Sequence, residues 1–174
     1  QQVVDYCRTR ILPFAGGVMP GYNRENPSTG GYIDPRGTKQ LREQWEAHLS
    51  YPWIRWVTLV TWQDYSEGHT IRPSSDWHFT RADVCRWYAD ELKGVTHPTT
   101  PQLYVTAPTH IHQGEKVQAE ALVLNGSSSP ATVTIDLLNP SGAVVSSASS
   151  TVLAGKAGDV TSNDSLSGVS WVRP

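Results

Sequence analysis

The fold is inferred first from one stretch of sequence, VTLVTWQDYSEGHTIRPS, at residues 57–74. Its first four residues are β-prone and uncharged, which is typical of a strand buried on both faces in a parallel sheet. We predict this strand over Trp56–Trp62. Two carboxylates, Asp64 and Glu67, follow it at the place where α/β folds carry their chemistry, just past the carboxyl end of a strand. The stretch is therefore expected to form the working site of an α/β domain.

The rest of the chain divides by composition near residue 94. Of the 16 aromatic residues, 14 come earlier, as do 22 of the 30 formal charges, whereas the later residues are rich in Ser, Thr, Val and Ala. Gly94–Pro101 has the Pro- and Thr-rich character of a linker. We therefore predict an α/β part at 1–94, a linker at 95–101 and an all-β part at 102–174.

Helices and strands alternate in the first part. The hydrophobic spacing predicts helices over Gln2–Arg10, Thr38–Leu49 and Thr80–Leu92. A further strand is predicted over Ile11–Val18, and the Gly- and Pro-rich stretch Glu25–Gly37 is predicted as a long loop. Two strands make no stable parallel sheet alone, so we expect this part to belong to a larger α/β domain.

The second part shows the period-two alternation of β-strands. Strands are predicted over Leu103–Ala107, Lys116–Leu124, Ala131–Leu138 and Ala143–Leu153, with Gly168–Val172 as a candidate fifth. This pattern, with a turn about every 8–12 residues, is typical of a small immunoglobulin-like sandwich. Asn125-Gly126-Ser127 and Asn163-Asp164-Ser165 match the glycosylation acceptor pattern, but we interpret the first as a hairpin turn.

Charge, hydropathy and cysteine content bound the function. A formal net charge of −2 gives no electrostatic reason to expect nucleic acid or an anionic membrane as partner. No apolar run approaches the roughly 20 residues that span a bilayer. Cys7 and Cys85 are too few for a zinc site, and they are interpreted as free thiols, as one disulfide, or as paired with another part of the protein. The chain opens without Met, on Gln1, and we expect it to be part of a longer protein.

The two carboxylates have a structural and a catalytic interpretation. Asp64 and Glu67 match the spacing of a helix capping box, but the Gly and Pro residues beyond them interrupt the periodicity of a following helix. Cleavage of a glycosidic bond needs one protonated and one ionised carboxyl, and two carboxyls on one short loop can converge on one bond. Trp62 and Tyr65 beside them offer flat apolar faces to sugar rings.

Among the histidines, one is a candidate sugar-binding residue, and none is predicted to form a metal site. His69 follows the carboxylates, where it can orient one of them or bond a hydroxyl. His110 and His112 are two residues apart, so on a strand both side chains would lie on the same face. No third metal ligand lies near them in the sequence. We therefore predict no metal and no cofactor.

The segment TWQDYSEGHTIRPS, residues 61–74, resembles the W-N-D-Y-x-E…I-x-P-S segment of glycoside hydrolase family 71, the endo-α-1,3-glucanases. It is similar, more distantly, to the N-E-W-x-E-G-T-x-I-E-P segment of the family 99 endo-α-mannosidases. Val18–Asn23 and a helix containing Arg42–Glu46 fit the same layout, so the resemblance covers roughly residues 1–94. Gln63 stands where family 71 usually has Asn.

This resemblance implies that 1–94 is the C-terminal portion of a (β/α)8 barrel, followed by the immunoglobulin-like β-sandwich at 102–174. It implies that Asp64 and Glu67 are the catalytic pair, with Glu67 as the acid and Asp64 as the base or assisting carboxylate. The residues implied to line the sugar subsites are Trp62, Tyr65, His69 and, from the end of the preceding strand, Tyr22. The earlier strands of the barrel are absent, so the missing N-terminal part is an expected partner and these residues alone are expected to be inactive.

The activity implied is hydrolysis of α-1,3-linked glucan by a secreted, extracellular protein, whose partner is a polysaccharide or oligosaccharide substrate. A second class of function is a non-catalytic carbohydrate-binding or adhesion module, in which the aromatics stack on sugars and the carboxylates only cap or hydrogen-bond. A third interpretation makes the all-β part a spacer or docking unit, because it has few aromatic residues.

Overall fold

The computed structural model of the protein describes residues 2–23, 31–109 and 116–165. The chain is a mixed α/β protein with small sheets and substantial strand content. It divides into two compact units, Gln1–Pro35 with Lys39–Val95, and Arg36–Thr38 with Thr96–Pro174. The sequence does not predict that Arg36–Thr38 groups with the second unit. Within that unit, the backbone N–H and the hydroxyl of Thr38 both donate to the carboxylate of Glu120, at 2.6 and 3.0 Å.

Helices and short strands alternate in the first unit. Their bounds are α1 (Gln2–Thr9), β1 (Ala15–Val18), β2 (Tyr22–Asn23), β3 (Tyr32–Ile33), α2 (Lys39–Leu49), β4 (Trp56–Leu59) and α3 (Thr80–Lys93). The expected parallel arrangement is confirmed, since β1 pairs with β4 in parallel from Ala15–Trp56 to Val18–Leu59. β2 pairs antiparallel with β3, which lies inside the predicted loop; residues 25–30 of that loop lie outside the described residues.

The predicted burial of β4 on both faces is wrong. Trp56 and Leu59 of β4 are 60% and 36% exposed. Within the described residues its sheet has two strands, so β1 is the one strand that borders β4. The strand also ends at Leu59 and not at Trp62. The N–H of Val60 still donates to Val18 O at 2.9 Å, but from Thr61 the backbone pairs elsewhere, since the N–H of Thr61 donates to the carbonyl of His69 at 3.3 Å.

The strand predicted from Ile11 begins instead at Ala15, because α1 uses the intervening residues to close. The N–H of Ile11 donates to Arg8 O at 3.2 Å, and the N–H of Leu12 donates to Cys7 O at 2.9 Å. Ile11 takes a left-handed φ of 56°, as the residue after a helix often does. A β-branched residue is uncommon there, which is why its β-propensity misled the prediction.

The core of the first unit lies on the facing stripes of α2 and α3. Its buried members include Leu41, Trp45, Val84, Trp87 and Tyr88. The rings of Trp45 and Tyr88 stack at 6.1 Å between centroids with an interplanar angle of 12°. These stripes were predicted from the helical spacing and are confirmed, although Leu49 and Leu92 at their ends are only half-buried.

Both cysteines lie on helices, as expected, with Cys7 on α1 and Cys85 on α3. Both are free thiols, so the interpretation as a Cys7–Cys85 bridge is wrong. Burial raises the pKa of the Cys85 thiol to about 11, which keeps it protonated at neutral pH. Among the described helices, none is both long enough and apolar enough to cross a membrane.

The second unit contains antiparallel strands. Their bounds are β5 (Gln102–Thr106), β6 (Lys116–Asn125), β7 (Ala131–Leu138), β8 (Val144–Val152) and β9 (Lys156–Ser165). One sheet has the order β5-β6-β9, and β7 pairs with β8 in another. Alternate residues of β6 and β7, including Ala121, Val123, Val133 and Ile135, are buried in one hydrophobic cluster. The predicted alternation is therefore confirmed in β7, whereas β6 is buried at every residue from Ala119 to Asn125.

The sequence does not predict β9. Its residues, KAGDVTSNDS, include Gly, Asp and Asn, which are depleted in strands. The strand nevertheless pairs with β6 along ten residues, from Lys156–Asn125 to Ser165–Lys116. Pairing with a central strand therefore overrides local propensity. The candidate strand Gly168–Val172 lies outside the described residues, as do His110 and His112.

Asn125 forms the predicted turn and not a glycosylation acceptor. Its side chain is fully buried, and its Nδ2 donates to the carbonyls of Ser129, Val152 and Leu153 at 2.9, 3.2 and 3.2 Å. A glycan needs that nitrogen free and at the surface, so folded Asn125 does not accept one. The side chain of the second acceptor pattern, at Asn163, lies outside the described residues.

Candidate functional site

The candidate site is the loop that follows β4, residues 60–74. Backbone hydrogen bonds pair its beginning with its end, because Ile71 N–H donates to Thr61 O at 3.0 Å while Thr61 N–H donates to His69 O. Between them the chain reverses in a turn closed by Gly68 N–H and Tyr65 O at 3.3 Å, and Gly68 has the left-handed φ of 67° that favours glycine. This folding brings the carboxylates of the turn back towards His69.

His69 is the centre of the site. Its ring is buried, with 5% of the residue exposed, and its Nε2 lies 3.1 Å from Asp64 Oδ2 and 3.5 Å from Glu67 Oε2. On the other side of the ring, Nδ1 lies 3.4 Å from Sδ of Met19. The ring of Tyr22 meets the imidazole edge-on at 5.8 Å. One buried histidine therefore brings the two carboxylates of the loop together.

Glu67 is held by β2 as well as by His69. The hydroxyl of Tyr22 donates to Glu67 Oε1 at 3.2 Å, and the N–H of Asn23 donates to the Glu67 carbonyl at 2.9 Å. The side chain of Glu67 stays 30% exposed. Its carboxylate is therefore fixed in place and still open to solvent.

Asp64 stabilises the turn and faces the site. Its Oδ1 accepts the hydroxyl of Ser66 at 2.8 Å and the N–H of Glu67 at 3.3 Å. The contact with His69 contributes most to lowering the pKa of Asp64, followed by the hydrogen bond from Ser66. Acceptance of the Glu67 amide is half of a capping box, but a hydrogen-bonded turn follows where a helix would have to begin.

The structure brings together four of the six residues predicted for the site: Asp64, Glu67, His69 and Tyr22. Trp62 and Tyr65 lie at the surface, 53% and 56% exposed. Tyr65 lines a small cleft of about 260 Å³ beside the loop, together with Trp77. Contact of Trp62 and Tyr65 with sugar stays a prediction.

Arg81, which the sequence analysis did not single out, holds the end of the loop. Its buried guanidinium donates from Nη1 to the carbonyls of Gly68 at 3.1 Å and Thr70 at 2.8 Å, on either side of His69. Trp77 lies 3.8 Å beneath it, and burial lowers the pKa of Arg81 to about 10, which leaves it charged at neutral pH. A cation on the buried stripe of α3 is the signal that could have identified it.

Met19 was also missed. The side chain of Gln44 on α2 holds its backbone, accepting from Met19 N–H at 2.8 Å and donating to Met19 O at 3.0 Å. These two bonds place Met19 at the carboxyl end of β1, with its sulfur against the ring of His69. An isolated methionine after a strand gives no sequence signal for this contact.

A larger cleft lies at the opposite, amino ends of the two parallel strands. It measures about 660 Å³, and its wall includes Phe14, Trp53 and Trp56. Among the described residues that line it, none is acidic, so it offers no carboxylate pair. The smaller site at the carboxyl ends of the strands is therefore the better candidate for chemistry.

No protein-family model matches this chain, and no curated protein or solved structure matches it either. The resemblance to glycoside hydrolase families 71 and 99 therefore rests on the motif at residues 61–74.

Proposed function

We propose that the protein cleaves glycosidic bonds of an α-glucan, with Asp64 and Glu67 as its paired carboxylates. The observation that carries the proposal is their convergence on buried His69, which leaves an oxygen of each carboxylate within 4.8 Å of the other. Glycosidases use such a pair on one bond. The α-1,3 linkage is the substrate that the motif implies.

Asp64 is assigned the ionised role and Glu67 the acid. The contacts of Asp64 with His69 and Ser66 lower its pKa, which keeps it charged. Glu67 in its protonated form donates its proton to the leaving glycosidic oxygen while Asp64 attacks the anomeric carbon. Glu67 then takes a proton from the water that displaces Asp64, which restores both groups. Tyr22 positions Glu67 through its hydroxyl.

The larger fold belongs to the same proposal. A (β/α)8 barrel that includes the first unit is supported by the parallel β1–β4 pair with the carboxylates past its carboxyl end. An immunoglobulin-like sandwich for the second unit is supported by the hydrophobic cluster that β6, β7 and β9 share. Secretion is part of the same proposal, because a polysaccharide outside the cell is reached only by a secreted enzyme.

An oxygen of each carboxylate lies within 4.8 Å of the other, and on this closeness we propose hydrolysis with retention of configuration. Retaining glycosidases place them about 5–5.5 Å apart, whereas inverting enzymes leave about 6.5–9.5 Å for a water molecule. We expect the protein, expressed as its gene encodes it, to release the α anomer first from α-1,3-glucan. Time-resolved NMR of the anomeric protons measures this.

Two control substrates are α-1,4-glucan and β-1,3-glucan, neither of which should be cleaved. Release of the β anomer first would show that Asp64 is not the attacking group. Binding of α-1,3-glucan without any new reducing ends would refute hydrolysis. It would favour the carbohydrate-binding alternative, to which exposed Trp62 and Tyr65 are also suited.

The low pKa of Asp64 has a consequence for the pH profile. A carboxylate whose pKa is depressed stays ionised until the pH falls below its ordinary value of 3.8, so kcat/KM should hold to that pH and decline only below it. His69→Gln removes the largest cause of the shift and should move the acid limb to higher pH. Ser66→Ala removes the second cause and should move it less. An acid limb unmoved by His69→Gln would refute the assignment, provided that circular dichroism shows both variants folded.

A further inference from the structure

The three groups of the candidate site have the composition of a metal site. His69 offers a ring nitrogen and Asp64 and Glu67 offer carboxylate oxygens, and one such atom from each lies within 4.8 Å of the others. Two carboxylates alone would be an ordinary acidic pair at a surface. The third group, a buried histidine directed at both of them, sets this pair apart.

The Nε2 atom of His69 is the independent observation. It is fully buried, and its geometry makes no hydrogen bond with any of the residues the structure describes. Its 3.1 and 3.5 Å approaches to Asp64 and Glu67 are ion-pair distances only. A buried polar atom left this way is costly unless another group satisfies it.

The other nitrogen of the ring shows how Nε2 can be satisfied. Nδ1 faces the thioether of Met19 at 3.4 Å, which is a weak acceptor for an Nδ1–H. When Nδ1 carries the proton, the lone pair of Nε2 faces the two carboxylates; in the metal-free site His69 lowers the pKa of Asp64 only with its proton on Nε2. A cation between the three groups turns the repulsion between lone pair and carboxylates into attraction.

Two of the three ligand-atom separations agree with tetrahedral coordination, and the third, between the two carboxylate oxygens, is within 4.8 Å. Zn²⁺ binds imidazole nitrogen and carboxylate oxygen at about 2.0–2.2 Å, so neighbouring ligand atoms of a tetrahedron lie about 3.3–3.5 Å apart. The separations of Nε2 from the two carboxylate oxygens, 3.1 and 3.5 Å, are close to this. Mg²⁺ and Ca²⁺ fit less well, because they prefer all-oxygen sites with six or more ligands.

We propose that Asp64, Glu67 and His69 bind one divalent transition-metal ion of the Zn²⁺ type. Three protein ligands leave a fourth position, and the carboxylates that border it are 34% and 30% exposed, so this position opens to solvent. The ion engages both carboxylates of the acid/base pair. If the proposed hydrolysis holds, it therefore competes with that reaction, and this consequence alone rests on the proposed function.

The test is titration of chelator-treated protein with Zn²⁺ at pH 7 by calorimetry, paired with visible spectroscopy of the Co²⁺ form. We expect one site per chain and the intense visible bands of tetrahedral Co²⁺. His69→Ala should weaken that site by at least about 100-fold, since even indirect partners of a metal ligand are worth 10–100-fold. Asp64→Asn, which is nearly isosteric, should also weaken it and covers the case in which His69→Ala fails to fold.

The matched control removes two histidines outside the proposed site, with His110→Gln and His112→Gln made together. This double variant should keep the wild-type affinity. Unchanged affinity in folded His69→Ala, loss of the site in the double variant, or no binding to the wild type each overturns the inference. A protein that binds Zn²⁺ but cleaves no glucan keeps the metal site and loses the proposed function; one that cleaves glucan and binds no Zn²⁺ does the reverse.

Discussion

In the protein expressed as its gene encodes it, Glu67→Gln is expected to lower kcat/KM on α-1,3-glucan by about 10²–10⁴-fold, the usual contribution of a general acid. Gln has nearly the shape of Glu and can still accept the hydroxyl of Tyr22, but it has no proton to give to the leaving oxygen. The loop should therefore keep its structure. Initial rates of reducing-end release, with circular dichroism as a check on folding, measure the effect.

A second substrate distinguishes a role of Glu67 as the general acid from a role in supporting the loop. An aryl α-glucoside whose leaving group needs little protonation should lose much less rate in Glu67→Gln than the glucan does. The matched control is Glu43→Gln, an exposed carboxyl on α2 whose 3.9 Å ion pair with Lys39 lies at the surface, and it should leave both rates unchanged. Glucan hydrolysis that survives Glu67→Gln within a few-fold would mean that another group is the acid.

Arg81→Met is expected to lower the free energy of unfolding by about 1–3 kcal/mol, because only one of its two carbonyl acceptors, that of Thr70, is buried. Met keeps the length and most of the apolar packing of the side chain but leaves the carbonyls of Gly68 and Thr70 without their donor. A buried acceptor without a partner costs about 1–3 kcal/mol. Because the two carbonyls flank His69, glucan hydrolysis should fall too. Urea denaturation followed by tryptophan fluorescence measures the stability.

The same helix supplies the control for this variant. Arg86 on α3 is exposed and pairs with Asp90 at 3.9 Å at the surface, so Arg86→Met should change the stability by less than about 0.5 kcal/mol. If Arg81→Met costs no more than Arg86→Met, the loop does not depend on the guanidinium. The site would then be held by its other contacts, among them those of Tyr22 and Asn23 and the backbone pairs of Thr61.

The local spacing of hydrophobic residues was sufficient to locate the helices and strands that bury one face. The spacing of Leu41 and Trp45 on α2, and that of Val84 and Tyr88 on α3, located both helices to within a residue or two, because a helix with one apolar stripe has a single way to pack. The alternation in β6 and β7 did the same for the second unit. Where an element depends on a distant partner, as β9 depends on β6, the local sequence was uninformative.

Other misses have the same physical origin. Ile11 has strong β-propensity, yet it closes α1 in a left-handed conformation through bonds to the preceding helical turn. Arg81 stands on an apolar stripe because two carbonyls from a separate loop satisfy it. Such partners come from other segments of the chain, and one stretch of residues does not specify them.

The sequence by itself determined which residues carry the candidate chemistry. It showed that Asp64 and Glu67 follow a strand within one short loop, because both features are local. Only the tertiary structure decided that these carboxylates meet over a buried His69. Tyr22 and Met19, which contact Glu67 and His69 respectively, lie 45 and 50 residues away along the chain. They reach the site because β1 pairs in parallel with β4, which brings the segments that follow the two strands to the same edge.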